Sequence, residues 1–397
     1  MPDSQKSTKI NQKRNQKRLT ILYFMGLLLA VSTALPAYIQ SNFLNQFVSI
    51  RTIGLFMIAA NLITTGAILI FPRQIKKLTN YFLMKVVLVI YAGSLFGLTL
   101  ATGALSAFVS IVIFSVSSNL LWINMDVLVE SFSSDISTGR TRTIYFTCIN
   151  AGWILSPVIT TYLVGRGEYS LSFLIAGLLV IPFFLIFLFQ ARNLKDKIKY
   201  REIGVLASIK NIWAKKRTRG IFFVAFLLQL FYSTAVIYLP LYLFQNLGMG
   251  WEMLGPIFSV MLIPFVLVEI PAGILADRYI GEKELMTAGF LILIISLFLF
   301  YYVSIPSFWI WMAVLFFSRI GAALVEAMRE TYFFKTVDVQ DISYINIFRI
   351  TAPLAYVLGS GISILVLAFW PMNYLFLIIA IIMLSGLGFS LSLKDTK

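Results

Sequence analysis

Twelve apolar runs constrain the fold of this chain more than any other feature. Each has about the 20 residues that an α-helix needs to cross the hydrocarbon core of a bilayer. The backbone in lipid must satisfy its own hydrogen bonds, and the runs do not alternate apolar with polar residues, so helices are expected rather than a barrel. The sequence therefore predicts an all-α membrane protein with twelve transmembrane spans at 19–39, 53–71, 81–100, 104–129, 143–165, 170–190, 220–243, 253–275, 285–303, 307–329, 342–367 and 373–392.

Composition excludes several classes of function. Residues are 59% hydrophobic and 12% charged, whereas a soluble protein has about 25% charged residues. The chain has no histidine and one cysteine, Cys148, which excludes His-based acid–base chemistry, His/Cys metal sites and intrachain disulfides. No P-loop pattern occurs. We expect neither an enzyme nor a protein that needs a cofactor or metal.

The positions of lysine and arginine predict the orientation. With the N-terminus inside, 28 of the 32 basic residues fall on one side of the membrane, as the positive-inside rule requires. This N-in, C-in arrangement explains the net charge of +15 without nucleic acid, and the basic face can attract anionic lipid. The first apolar run has no convincing cleavage site, so it is expected to be a retained helix. We predict a monomeric, multi-pass protein of the cell (inner or plasma) membrane.

The chain contains an internal repeat. A shift of 200 residues aligns Asp126 and Glu130 with Glu326 and Glu330. This predicts two pseudo-symmetric six-helix bundles, 19–190 and 220–392, with a linker at 191–219 and tails at 1–18 and 393–397. Parallel halves with a site between them at mid-depth are a transporter architecture.

Two short stretches resemble one known family. The turn GILADRYIGEK, from Gly273 to Lys283, resembles the loop signature of the major facilitator superfamily, G-x-x-x-D-[RK]-x-G-[RK]-[RK], with one residue inserted before Gly281 and Glu282 where a basic residue is usual. The stretch GWILSPVITT, from Gly152, is similar to that family's antiporter pattern in helix 5. The resemblance implies a secondary active transporter that moves a small solute by alternating access. The second stretch favours proton-coupled export.

The charged turn is predicted to be a latch between the halves. Gly273 would permit close helix approach, and Gly281 would supply a flexible or left-handed backbone position. Asp277 would bind the N-terminal end of a helix from the other half, where N–H groups are unpaired. The remaining latch residues are Arg278 and Lys283 in the turn and Arg140 and Arg142 at the start of helix 5.

Two acidic pairs are predicted to form a gate network. Asp126 with Glu130, and Glu326 with Glu330, are each spaced i, i+4 and so share a helix face. Arg329 or Arg140 could neutralise them. In the alternative interpretation, Asp126 or Glu326 carries protons.

In the resembled family helices 1, 4, 7 and 10 line a central cavity. Arg319 lies at the centre of the tenth span, and a charge at that depth is usually functional; it would bind an anionic group or pair with an internal acid. Glu269 and Arg349 are predicted either to form an ion pair that holds the second half rigid or to include a titrating coupling site. The other candidate cavity residues are Gln229, Tyr232, Asn119, Trp122, Asn150 and Trp153.

Two other functions remain open. A uniporter or symporter of a nutrient would share the fold and differ in coupling. A membrane sensor that moves no solute belongs to a different class, which the incomplete loop signature of the first half, PRQIKKLTN at 72–80, leaves possible.

Overall fold

The computed structural model describes residues 2–132, 138–164, 169–190, 205–336 and 342–393. No β-strand occurs in these ranges. The helices are α1 (Pro2–Ala37), α2 (Gln40–Asn45), α3 (Ile50–Leu78), α4 (Asn80–Thr99), α5 (Ala104–Phe132), α6 (Thr138–Val164), α7 (Tyr169–Leu178), α8 (Val180–Phe189), α9 (Val205–Ala214), α10 (Lys216–Ser233), α11 (Leu239–Leu241), α12 (Trp251–Val260), α13 (Ile263–Arg278), α14 (Glu282–Tyr302), α15 (Phe308–Thr336), α16 (Ile342–Phe369) and α17 (Asn373–Leu391).

Across the described ranges, 12 helical stretches are long and apolar enough to cross a membrane. Each coincides with one predicted run, and the fourth has the predicted bounds of 104–129. The prediction of twelve transmembrane helices is therefore confirmed. Numbered in chain order, span 1 comprises α1 and α2, span 6 comprises α7 and α8, span 7 runs from α10 through α11, and span 8 comprises α12 and α13; every other span is one helix.

Two spans of the second half are broken at prolines. In span 7, α11 is flanked by π-helical turns, Thr234–Tyr238 and Tyr242–Asn246. Pro240 lies in α11 and has no N–H to donate, which disrupts the regular hydrogen-bond ladder. In span 8, Pro264 occupies the first turn of α13, where a missing N–H costs nothing. Both prolines thus lie where the regular α-helix of the span is interrupted.

The halves meet along two pairs of spans. Span 2 packs against span 11, and span 5 packs against span 8. Within the second half, spans 9 and 10 approach closely at Gly289 and Gly321, where an added Cβ on Gly289 would lie 2.8 Å from the Gly321 carbonyl oxygen. Small residues permit such close packing in lipid, where apolar side chains gain little by leaving the solvent.

The two ends of the bundle are distinguished here as the linker face, where span 7 begins at Lys216, and the opposite face. On the linker face the turns before α4 and α14 have related backbones. Gly281 has φ 109° and Thr79 has φ 68°. A β-branched residue rarely adopts positive φ, because this backbone conformation is strained for it. The cost at Thr79 is offset by a helix cap, since its side chain accepts a hydrogen bond from the Phe82 N–H at the start of α4. The prediction of a left-handed backbone at Gly281 agrees with this geometry.

The predicted linker is partly helical. Residues 205–214 form α9, and α10 begins at Lys216, before the predicted start of span 7 at 220. Residues 191–204 lie outside the described ranges. The domain bounds and the N-in, C-in orientation stay predictions.

Candidate functional site

A cavity of about 230 Å³ lies between the halves, on the linker-face side of mid-depth. Its walls come from spans 4, 5, 7, 10 and 11, so spans 5 and 11 contribute where span 1 was expected. The predicted cavity residues Asn119, Trp122, Trp153 and Gln229 line it, whereas Arg319, Tyr232 and Asn150 do not. The other lining residues are Ile123, Asp126, Phe146, Ile149, Arg329, Phe348, Arg349, Thr351 and Ala352.

Charged side chains of both halves meet at this cavity. Arg349 of span 11 lies 3.2 Å from the carboxylate of Asp126 in span 4 and 3.5 Å from that of Glu330 in span 10. Asp126 belongs to the first half, so this contact joins the halves. Arg349 therefore neutralises one carboxylate in each half.

The contacts continue toward span 7. Arg329 lies 3.6 Å from both Glu326 and Glu330 and also donates to the Ala225 carbonyl at 3.4 Å. The hydroxyl of Tyr232 donates to Glu326 at 2.5 Å. We call Asp126, Arg349, Glu330, Arg329 and Glu326 the charge network. The side chain of Glu130, predicted to belong to it, lies outside the described residues.

The predicted ion pair between Glu269 and Arg349 is wrong. Span 8 packs mainly against spans 5 and 10, so Arg349 meets Asp126 and Glu330 instead. The carboxylate of Glu269 interacts with the side-chain amide of Asn150 in span 5. The position of a residue along its span predicts its depth in the membrane, but it does not predict which neighbouring helix its side chain faces.

Arg319 lies beyond the inner end of the cavity. Its side chain is 2% exposed, and its guanidinium is 5.3 Å from the Phe231 ring centre and 5.9 Å from that of Tyr232. It also contacts the hydroxyl of Tyr38 in span 1. Sequence reasoning missed Tyr38 because a span that ends at 39 places this residue at its very end and not near mid-depth. In the structure the span continues to Asn45.

Aromatic contacts close the opposite side of the bundle. Tyr38 stacks on Phe258 of span 8 with ring centres 5.2 Å apart, and it meets the edge of Trp153 at 6.2 Å. Nearer the opposite face, the Trp251 indole donates to the Tyr169 hydroxyl at 3.4 Å. The contacts of Tyr38 with Phe258 and of Trp251 with Tyr169 join the first and second halves, so the space between the halves is filled on this side.

Comparison with known proteins decides the family. The sequence profile of the Major Facilitator Superfamily matches residues 19–268 and 253–396. The chain belongs to the Major Facilitator Superfamily. This family and its fold imply a multi-pass membrane protein that transports a small molecule, and they confirm that the chain is not an enzyme.

A solved structure supports the same fold. A mutant of the nucleoside transporter NupG matches with a TM-score of 0.73 and 17% identity, covering 96% of this chain and 100% of that chain. At this identity the likeness concerns the fold alone. No curated protein sequence matches this chain.

The superfamily loop signature has a mixed outcome. An added Cβ at Gly273 would meet no atom within 4 Å, so the expectation of close helix approach there is wrong in this structure. Arg278 is exposed at the end of α13, and Lys283 pairs with Glu284 at 3.2 Å. The side chains of the predicted latch residues Asp277, Arg140 and Arg142 lie outside the described residues.

The structure explains why Glu282 stands where the loop signature usually has a basic residue. Glu282 begins α14, and its carboxylate lies 2.7 Å from the amine of Lys335 in the last turn of α15. An acid at the start of a helix and a base at the end of a helix both interact favourably with the helix dipole. Glu282 thus joins spans 9 and 10 at the linker face.

Reversing this charge is expected to destabilise the second half. The Glu282 side chain is 2% exposed and that of Lys335 is 41% exposed, so Glu282→Lys should cost about 1–3 kcal/mol, less than a fully buried pair. Thermal unfolding in detergent measures the loss. The matched control is Glu284→Lys, whose side chain is 41% exposed. Equal losses for the two variants would contradict the assignment.

The antiporter-like stretch of span 5 packs against span 1. An added Cβ at Gly152 would lie 2.7 Å from the Ala30 Cβ, and Thr160, where the family pattern has glycine, donates to the Leu35 carbonyl at 3.0 Å. Small and polar residues here hold two helices of one half together. This packing explains why the stretch has small and polar residues, and it does so without reference to the direction of transport.

Proposed function

We propose that this superfamily member is a secondary active transporter that moves a small solute by alternating access of its two halves. The observation that carries the proposal is the asymmetry of the interface between the halves. A cavity occupies the linker-face side, whereas Tyr38 and Phe258 fill the other side. Rocking the halves would close the first side and open the second.

The charge network is the proposed gate of the linker face. Arg349 contacts Asp126 across the halves and Glu330 within its own half. Relative movement of the halves can therefore break one contact while Arg349 keeps the other. An exchange of partners costs less than leaving a guanidinium buried and unpaired. The latch at Asp277 would act beside this gate.

Glu269 is the proposed site of proton coupling. It lies where span 8 packs against span 5 of the other half, and Asn150 contacts its carboxylate. Among the described residues no arginine or lysine forms an ion pair with it, so a proton can occupy the carboxylate without an ion pair being broken first. This supports proton coupling over uniport, which needs no such group.

Reconstitution into proteoliposomes tests the function. The purified protein should move at least one solute of a broad panel, and an imposed pH gradient should change the rate. Flux that ignores the pH gradient would favour a uniporter. Absence of flux for every solute would favour the sensor and contradict the proposal.

A further inference from the structure

Most of the hydrogen-bonding capacity of Arg319 is unused. The residue is 2% exposed, and its Nε and Nη1 atoms have no hydrogen-bond partner. Elsewhere in the described chain the buried Arg329 pairs with two carboxylates. No carboxylate of the described residues forms an ion pair with Arg319. The two arginines, about three helical turns apart on span 10, thus have contrasting surroundings.

The surroundings of Arg319 do not compensate its charge fully. Phe231 and Tyr232 lie close enough for cation–π attraction, and such attraction offsets part of the desolvation cost. The rings are not acceptors for the N–H groups in the guanidinium plane. Arg319 contacts the Tyr38 hydroxyl but forms no ion pair with a carboxylate of the described residues. A charge kept at this depth without an acid indicates a role in binding rather than in stability.

Arg319 also lies where the halves separate. Among the neighbours of Arg319, Tyr38 belongs to the first half, whereas Phe231 and Tyr356 belong to the second half. Tyr38 contacts Trp153, which lines the cavity. Arg319 is thus one layer of side chains beyond the inner end of the cavity, and rocking of the halves would uncover it.

The arginines that line the cavity are already paired with carboxylates of the charge network. Two guanidinium groups, those of Arg329 and Arg349, face it together with one carboxylate, that of Asp126. The remaining walls are mostly aromatic or aliphatic, including Trp122 and Trp153. An apolar body matches these walls, and the guanidinium left to bind an anionic group of the solute is that of Arg319.

We propose that Arg319 binds the anionic group of the transported solute, and that this solute is a small monoanion with an apolar or aromatic body. The proposal rests on the transport function proposed above. A single guanidinium without an acid partner matches one negative charge, and the rings of Tyr38, Phe231 and Tyr232 would contact the body.

Stability without ligand separates binding from a structural role. Arg319→Gln, Arg319→Lys and the matched control Arg217→Gln, at an exposed position, are compared with the wild type by thermal unfolding in detergent. Arg319→Gln should unfold at or above the wild-type temperature, because it removes an unpaired buried charge. If Arg319→Gln unfolds several degrees lower and Arg319→Lys does not, Arg319 is structural and the proposal is overturned.

Matched probes identify the charge of the solute. The probes are benzoate, benzamide and benzylammonium, with hexanoate, hexanamide and hexylammonium as an aliphatic set. Carboxylates alone should raise the unfolding temperature of the wild type and of Arg217→Gln, and Arg319→Gln should lose that shift. A shift caused by amides or ammonium ions instead, or no shift with either carboxylate, overturns the proposal.

Measurements of solute flux distinguish a failure of the monoanion proposal from a failure of the proposed transport function. Proteoliposomes that move neutral or cationic solutes and no anion would overturn the monoanion proposal and leave transport intact. Proteoliposomes that move no solute of any charge would overturn both.

Discussion

Arg349→Gln is expected to reduce transport more than any other single change in the charge network. The substitution removes the contact between Arg349 and Asp126 across the halves, and Arg329 then remains beside Glu326 and Glu330. Breaking a buried ion pair costs about 3–5 kcal/mol, and about 1–3 kcal/mol is expected here because 26% of the Arg349 side chain is exposed. A bias of that size shifts a two-state equilibrium by about 5- to 150-fold.

The measurement is solute flux in proteoliposomes, with Arg217→Gln as the matched control on the exposed start of span 7. The double variant Arg349→Gln with Asp126→Asn removes both charges of the contact and should recover part of the flux lost in Arg349→Gln. Strictly additive losses would show that the two side chains do not act as a pair. Unchanged flux in Arg349→Gln would remove the charge network from the gate.

Gly255→Leu is expected to prevent closure of the opposite side. An added Cβ would lie 1.6 Å from the Thr161 Oγ1 and 3.0 Å from the Pro157 carbonyl oxygen, both in span 5 of the other half. The side chain cannot fit unless spans 5 and 8 move apart. Overpacking costs about 1–3 kcal/mol, so states with the opposite side open should gain about 5- to 150-fold in population, and flux should fall by a similar factor.

Cysteine accessibility reports this shift directly. Ser41→Cys, in a chain with Cys148→Ser, places the thiol on α2, which packs against α11 of the second half and is buried at this position. A membrane-impermeant maleimide should react faster when Gly255→Leu is also present. Gly388→Leu is the matched control, since nothing lies within 4 Å of an added Cβ there. Equal reaction rates in both backgrounds would refute the prediction.

The fold was largely predictable because lipid imposes a length requirement on each span separately. Span 4 has its predicted bounds, and even the proline-broken span 7 was found as one apolar run. Helix starts and turns were partly predictable as well. Gly281 was expected to need a left-handed backbone and has φ 109°.

The contacts of individual side chains were less predictable. Four of the candidate cavity residues chosen by depth line the cavity of the structure: Asn119, Trp122, Trp153 and Gln229. The other three, Arg319, Tyr232 and Asn150, do not. The partner of Arg349 was not, and the close approach expected at Gly273 occurs instead at Gly255. Depth follows from position along a span, whereas a partner depends on helix rotation and on which spans are neighbours.

The sequence by itself determined that twelve helices cross the membrane and that arginines and acids lie at particular depths, and it predicts a repeat that relates two halves. Only the tertiary structure decided that Arg349 joins the halves through Asp126 and that Arg319 forms no ion pair with an acid in the part of the chain that the structure describes. The reason is that most span residues are apolar on all sides, so hydropathy fixes how far each helix inserts but not how it turns.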